Sequence, residues 1–351
     1  MSTDQASEHP GKMGWGDETL ALTLSEKHDR EKVQADQLAA MVPDRVIRAA
    51  ARPPVQKMLD KVNHLMRADG IDSGFCSAYI ELAVFGHYFD WLAQLIGSCV
   101  ASGWMRKTTR RILVESFLLG DPEEIFGTDL VGPNNVAPFA PYNYRAGRRL
   151  GGLNGNSDGS FCGEHVQGAM QFGMLICSTD GLTGDTDEMP EPQDQSTYKR
   201  WGANNTLMDK YVASAKRIQL LESEQITDAS EGKDACVDGF KGAMICSSWA
   251  FKPSEMHPTW RLANGDRVWI YKRDAGNRWD HNMTIDGFVV VGGLIFVKVD
   301  NSWGPRAHKN GSFFYIPIEL FVDWLNRGQA ECRTIGDIDL TDNAAPFPVD
   351  A

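Results

Sequence analysis

Gly292-Gly293 stands between two β-branched runs, Asn282–Val291 and Leu294–Val299. Glycine accepts the positive φ of a tight turn at no steric cost, so the pattern predicts an antiparallel hairpin. A hairpin fixes register, and pairing about the turn centre brings positions 281 and 301 near the same end. The first strand reads Met283 and Ile285 inward, Thr284 and Asp286 outward. At the shared end, the amide oxygen of Asn301 can accept from the imidazole of His281 and fix its orientation. Trp303, two residues on, can cover that bond and keep water out.

Around this hairpin the period of the chain changes. After Lys241 the apolar residues alternate, which predicts further strands at Ala243–Ala250, Val268–Lys272 and Ser312–Ile316. Before it the pattern is helical. Cys99–Leu119 is the strongest helix, with Val100, Trp104, Ile112, Leu113 and Phe117 on its buried side and Ser98 as N-cap. Further helices are predicted at 37–67, 162–172 and 205–221, with a linker at 70–74 and loops through 128–160 and 179–195. Helices first and strands last is an α+β order. Residues 1–35 read as a polar tail, 36–88 as an N-terminal helical region, and 341–351 as a loose tail.

Bulk properties narrow the function. Of 351 residues 42% are hydrophobic, enough for a packed globular unit. A net charge of -12 repels phosphate backbones and argues against nucleic acid as partner. Arg106-Lys107 and Arg110-Arg111 form a local basic cluster at i, i+4 spacing, read as a solvated helix face. No leader or membrane-length apolar run is seen, so the expected location is the cytoplasm or an assembly built there. Seven cysteines with no C-x-x-C pair argue against a disulfide framework and a structural zinc. Cys162 and His165 have C-x-x-H spacing without a matching second half. Asn154-x-Asn156-x-Asp158-Gly159 resembles a calcium loop, but its twelfth position is His165, not a bidentate Glu. No metal or cofactor is expected.

A thiol gains nucleophilicity at a helix N-terminus beside an imidazole, where the dipole and the cation both favour thiolate. Cys99 opens the strongest helix and is the candidate; Cys76, before another apolar run but without Gly-Ser ahead of it, is a rival. Cys99 with His281 as base and Asn301 as orienting amide completes a nucleophile–base–amide set in the right order.

Four segments carry a family resemblance. Gly97-Ser98-Cys99-x-Ala101, Asp280-His281, Lys298-Val299-Asp300-Asn301-Ser302-Trp303-Gly304 and Asn310-Gly311-Ser312-Phe313-Phe314-Tyr315-Ile316-Pro317 resemble the papain-like cysteine peptidases. Tyr142-Asn143-Tyr144-Arg145 and Asp158-Gly159 resemble the segment after the catalytic helix in bacterial and phage members. The resemblance spans roughly residues 90–325 and implies a two-lobed α+β fold, with a helical lobe at about 89–200 and a β-rich lobe at about 201–340. It implies peptide-bond hydrolysis, a polypeptide substrate, and Cys99, His281 and Asn301 as nucleophile, base and orienting amide. The sequence departs from the family at three positions. The oxyanion-hole glutamine position holds Ala93, leaving Gln94 as the candidate one residue late; Val100 replaces an aromatic; and Ile96 replaces a disulfide cysteine. Residues 1–88 do not resemble an inhibitory propeptide and could serve as an assembly arm. That motivates the alternative of a structural component, for example of a phage virion, with weak or absent catalysis. A cell-wall amidase or endopeptidase using the same thiol chemistry is a weaker third reading.

Overall fold

The computed structural model describes residues 53–88, 94, 96–119, 136–155, 158–177, 195–247, 256–261, 267–271, 281–302, 313–326 and 330–340. The expected tails at 1–35 and 341–351, the first part of the N-terminal helical pattern, Ala93, Asn156 and Trp303 lie outside them.

Helix α1, Pro53–Ala68, starts on two prolines. The first turn tolerates them because its N–H groups have no helical acceptor. Val55, Met58, Val62 and Met66 recur at helical spacing and are buried. The stretch expected as a linker instead contains strand β1, Ser73–Cys76, which runs into α2, Ala78–Phe85. Helix α3 spans Cys99–Leu119 and α5 spans Cys162–Phe172, as their periodicity predicts. Between them α4, Ala140–Leu150, forms where loops were expected; Pro141 sits in its first turn and Arg148-Arg149 in its last. Helices α6, Gln195–Gly202, and α7, Asn205–Ala215, follow, the second capped by the Asn204 side chain accepting from Leu207 N at 2.9 Å. Helix α7 stops short of the expected 221, and Gln219–Leu220 form β2. Helix α8, Ala229–Lys233, precedes the strands.

Strands β3, Gly242–Ser247, β4, Met256–Arg261, β5, Arg267–Tyr271, β6, His281–Val291, β7, Leu294–Asp300, β8, Phe313–Pro317, and β9, Glu331–Ile335, join β1 in one sheet; α9, Ile318–Asn326, lies between the last two, and β10 is Ile338–Asp339. Among the described residues the sheet order is β4-β5-β8-β7-β6-β3-β9, antiparallel except for β5 beside β8, and β2 pairs β10 separately. The predicted hairpin is present: Val291 pairs with Leu294, and Gly292 and Gly293 take φ of 58° and 79°. The other edge of β6 is shared, with β3 along 281–285 and β1 along 287–290. Helical segments first and an antiparallel sheet last give the α+β architecture expected, although β1 joins the sheet from the N-terminal side.

Strand β6 carries a bulge between Ile285 and Gly287. A bulge inserts one residue and shifts the phase of the strand. Met283, Ile285 and Phe288 thus face one apolar cluster with Phe321 of α9, while Val289 joins the other cluster with Trp104 of α3. Thr284 and Asp286, expected to face outward, are buried, because a helix covers that face too.

That helix is α3. Residues 99–116 are all buried, so it has no solvated side. The reading of Arg106, Lys107, Arg110 and Arg111 as a solvated face is therefore corrected. Arg110 Nη1 donates to Asp286 Oδ1 at 2.6 Å and lies 3.0 Å from Asp300 Oδ2, while its Nε donates to Glu81 Oε1 of α2 at 2.6 Å. Lys107 Nζ reaches Asp286 Oδ1 at 3.2 Å, and Arg106 Nη1 reaches Asp300 Oδ1 at 3.1 Å. Arg111 pairs with Glu115 and, at 2.9 Å, with Asp337. Removing an ion from water costs several kcal/mol, so these charges persist inside only as a matched set. Burial disfavours the charge on Arg110, but Asp286, Glu81 and Asp300 outweigh it and hold its pKa above the usual range.

Gly287 makes the shared edge possible. A Cβ there would lie 2.0 Å from Phe75 O and 2.6 Å from Cys76 Cα, both backbone atoms. Gly287→Ala is expected to push β1 off β6 and cost about 1–3 kcal/mol, as overpacking does. Urea denaturation monitored by tryptophan fluorescence checks this.

Candidate active site

Cys99 is the first residue of α3. Its Sγ accepts from the backbone N of Asn282, the residue after His281, at 3.4 Å. The backbone N–H groups of Val100 and of Cys99 itself also favour negative charge on the sulfur. The cap itself differs from expectation, since Ser98 Oγ has no hydrogen-bond partner among the described residues. Residue 98 contributes its carbonyl, which accepts from Ser102 N at 2.9 Å. Close approach of α3 to β6 depends on Gly103, where a Cβ would sit 2.2 Å from Asn282 Oδ1.

His281 opens β6, and Asn301 follows the last residue of β7. The bulge moves the register by one, so Thr284 faces Asp300. Just beyond that pair the Asn301 side chain lies beside the imidazole, with His281 Nε2 and Asn301 Oδ1 at 2.8 Å. Asn301 carries the acceptor oxygen in this bond, so Nε2 holds the proton and Nδ1 is the ring nitrogen facing proton exchange. The main chain of Asn301 is fixed separately, because Arg106 Nη1 donates to its carbonyl oxygen at 2.6 Å.

Gln94 is tied to the residue after Asn301. Its N donates to Ser302 O at 2.7 Å, its Oε1 accepts from Ser302 Oγ, and its Nε2 donates to Ile96 O at 3.1 Å. Cys99, His281 and Asn301 thus converge, and Gln94 stands at the neighbouring turn. All three are buried, with exposures of 0%, 2% and 1%.

Burial dominates the electrostatics. It pushes the Cys99 thiol up to about 12, although the amides of Asn282, Val100 and Cys99 pull the other way. It also pushes the His281 imidazole down to about 4, against the hydrogen bond that the ring donates to Asn301. Both shifts favour the neutral thiol and the neutral imidazole in this closed arrangement.

The other candidates separate from this centre. Cys76 ends β1 in the apolar core; burial raises its thiol pKa, and its charged neighbours are Lys298, Asp286 and Lys107. Cys162 lies behind Asn282, whose Nδ2 is 3.9 Å from Cys162 Sγ and 3.2 Å from Cys246 Sγ. His165, one turn along α5, instead bonds Ser160 Oγ at 2.9 Å. Asn154 Oδ1 accepts from Arg145 Nη2 at 3.1 Å, which employs the first position of the calcium-like segment. All seven cysteines are unbridged, and among the described residues no His, Cys, Asp or Glu group is arranged to hold a metal ion. No described helix is long and apolar enough to cross a membrane.

Two residues of the site escape sequence reasoning. Arg106 looks like part of a surface charge run, yet it touches Asn301. Its only signal is Asp300 beside Asn301 at the end of an apolar strand, a carboxylate that burial would force to find a cation. Asn282 contributes through its backbone N–H, which no side-chain pattern reveals.

No protein-family model matches the chain, and no curated protein matches it. Among solved structures the chain is similar to xylellain, a cysteine protease from Xylella fastidiosa, at 16% identity and a TM-score of 0.47, covering 71% of this chain and 82% of that one. It is also similar to procathepsin B S9 from Trypanosoma congolense, at 11% identity and a TM-score of 0.41, covering 75% and 76%. A third likeness is to the digestive procathepsin L2 proteinase from Tenebrio molitor larval midgut, at 12% identity and a TM-score of 0.43, covering 74% and 66%. At these identities and scores the case for any chemistry stands on the side chains described above.

The buried histidines set an acid limit on stability. Burial holds His281 at about 4, and burial together with Arg148 holds His165 at about 3, both below the free value of 6.5. The unfolded chain therefore binds protons that the folded chain refuses. Stability is full above the free value and falls as pH drops toward the folded values. The Asp286 carboxyl is also depressed, because Arg110, Lys107 and Lys298 outweigh its burial; it adds loss only below its free value of 3.8. Each histidine contributes a slope of about 1.4 kcal/mol per pH unit in the window. His165→Gln is expected to flatten the acid slope by about that amount, measured by urea midpoints between about pH 5.5 and 4.

Proposed function

We propose that this chain is a cysteine-type peptidase that cleaves peptide bonds through Cys99, His281 and Asn301. The observation that carries the reading is the convergence of residues 99, 281 and 301. A helix-start sulfur lies 3.4 Å from the amide next to His281, and His281 bonds Asn301 at 2.8 Å.

The reading implies the following proton path. As the Cys99 sulfur attacks the peptide carbonyl carbon, its proton passes to His281 Nδ1. The carbonyl oxygen takes the negative charge. The Cys99 N–H at the helix start and Gln94 Nε2, which keeps a second hydrogen beyond the one given to Ile96, would bind it. His281 then hands its proton to the leaving amine, and a thioester remains on Cys99. Water, deprotonated by His281, attacks the thioester, and the acid product leaves with the thiol restored. Asn301 keeps Nε2 protonated throughout, so Nδ1 stays the working nitrogen. Because the three residues are buried, a polypeptide must open their surroundings before it can reach the sulfur.

That same burial favours a second reading, in which the chain is a papain-like component of a larger assembly with weak or no catalysis. The seven unbridged cysteines suit a reducing compartment such as the cytoplasm under either reading.

Reactivity of the thiol separates the two. With His281 as base, alkylation of Cys99 by iodoacetamide requires neutral imidazole. The rate should rise through the His281 value of about 4 and be level by pH ~6. Mass-mapped labelling should find Cys99 modified before Cys76 and Cys332, and His281→Ala should remove both the plateau and the preference. A peptide-library digest should show cleavage by wild type and none by Cys99→Ala. Labelling of Cys99 no faster than of Cys76, with no cleavage, would favour the assembly reading.

A further inference from the structure

The helix that carries the thiol also carries the contact that fixes Asn301. Arg106 stands seven residues after Cys99 on α3, about 10 Å along the helix axis. Its Nη1 donates to the carbonyl oxygen of Asn301 at 2.6 Å and to Asp300 Oδ1 at 3.1 Å. The guanidinium is 1% exposed and Asp300 2% exposed. A charge held so deep is satisfied only by the acceptors present, so the contact is specified by position and not by chance collapse. Asn301 lies just beyond the last residue of β7. Its side chain can orient His281 only if its main chain stays in place.

Building on the peptidase reading, we propose that Arg106 is a positioning residue for the site: by holding the Asn301 carbonyl and the Asp300 carboxylate together, it sets the carboxamide that orients His281 toward Cys99. Arg110 is the natural contrast. It shares Asp300 and adds Asp286 and Glu81, and no hydrogen bond from it to Asn301 is seen. Arg110 joins the helix to the sheet, whereas Arg106 acts on the site. A rigid helix carrying both the sulfur and the clamp fixes the span between nucleophile and amide with one element.

The test compares Arg106→Met, Arg106→Lys and Arg110→Gln in the full chain, scoring activity per folded molecule after gel filtration and circular dichroism. The readouts are the iodoacetamide rate at Cys99 and the split of kcat from KM on a peptide that wild type cleaves. Arg106→Met is expected to lower the Cys99 alkylation rate and kcat about tenfold or more, the scale of one charged hydrogen bond, with KM little changed. Arg106→Lys, which retains a cation for Asp300, should recover part of both. Arg110→Gln should lower the urea midpoint while leaving both rates per folded molecule near wild type. If Arg106→Met does not fold, the double variant Arg106→Met/Asp300→Asn, which strands no carboxylate, takes its place with the same expectation. Wild-type rates in the folded Arg106 variants would overturn the positioning role while leaving the peptidase reading intact. A wild-type Cys99 that labels no faster than Cys76 would remove the peptidase reading, and this role with it.

Discussion

The seam between α3 and the β6–β7 hairpin depends on buried charge. Arg106, Lys107 and Arg110 on one side meet Asp286, Asp300 and, from α2, Glu81 on the other. Each of these buried cations has a carboxylate partner, and Lys298 adds to the positive field at Asp286, which is what lets the charges exist without water. Apolar contacts alone would tolerate sliding of a helix over a sheet. A guanidinium shared among Asp286, Asp300 and Glu81 does not, because each displaced pair strands an ion in a low-dielectric interior. Asp286 follows Asn282 and Thr284 on the strand face that α3 covers, and the bulge there ends that polar face, so that Val289 next meets the helix side.

The site sits at one end of this seam. Cys99 is where α3 begins, His281 is where β6 begins, and Asn301 is where β7 has just ended. All three therefore inherit their positions from rigid elements and not from long loops, the arrangement expected when a constellation must hold sub-ångström geometry. Gly103 allows the close approach, and the Asn282 amide supplies a donor to the sulfur. Burial also favours the uncharged forms of Cys99 and His281. Under the proposed chemistry the proton would move as the sulfur attacks, with no standing thiolate.

The parts legible in the sequence were those set by local rules. The bounds of α3 and α5 follow from periodicity, and the hairpin follows from Gly292-Gly293, which between them bring residues 99, 281 and 301 into range. What was illegible depended on what lies opposite. A helix with Arg106, Lys107, Arg110 and Arg111 reads as solvated unless the carboxylates facing it are known. Strand β1 is four residues long and is stabilised by the free edge of β6, so its own sequence hardly announces it. Helix α4 hides because glycines and prolines flank it and its buried arginines bond distant backbone carbonyls: Arg145 reaches Gly202 O at the end of α6 and Arg148 reaches Gly159 O in a loop, each at 2.6 Å. The resemblance supplied a role for Gln94 that the residue pattern alone did not, whereas the shielding role of Trp303 was read from its place beside the hairpin. Gln94 is now tied to Ser302, and Trp303 lies beyond the described residues.

The central claim is that sulfur 99 becomes covalently acylated by a peptide. Acid quenching during turnover of an activated peptide ester, followed by intact-mass and fragment analysis, measures that directly. The account predicts an acyl thioester on Cys99 that forms in wild type and accumulates when hydrolysis is slowed by Asn301→Ala. An acyl group found on Cys76 or another cysteine, or substrate consumed with no adduct on Cys99 in either protein, would contradict it.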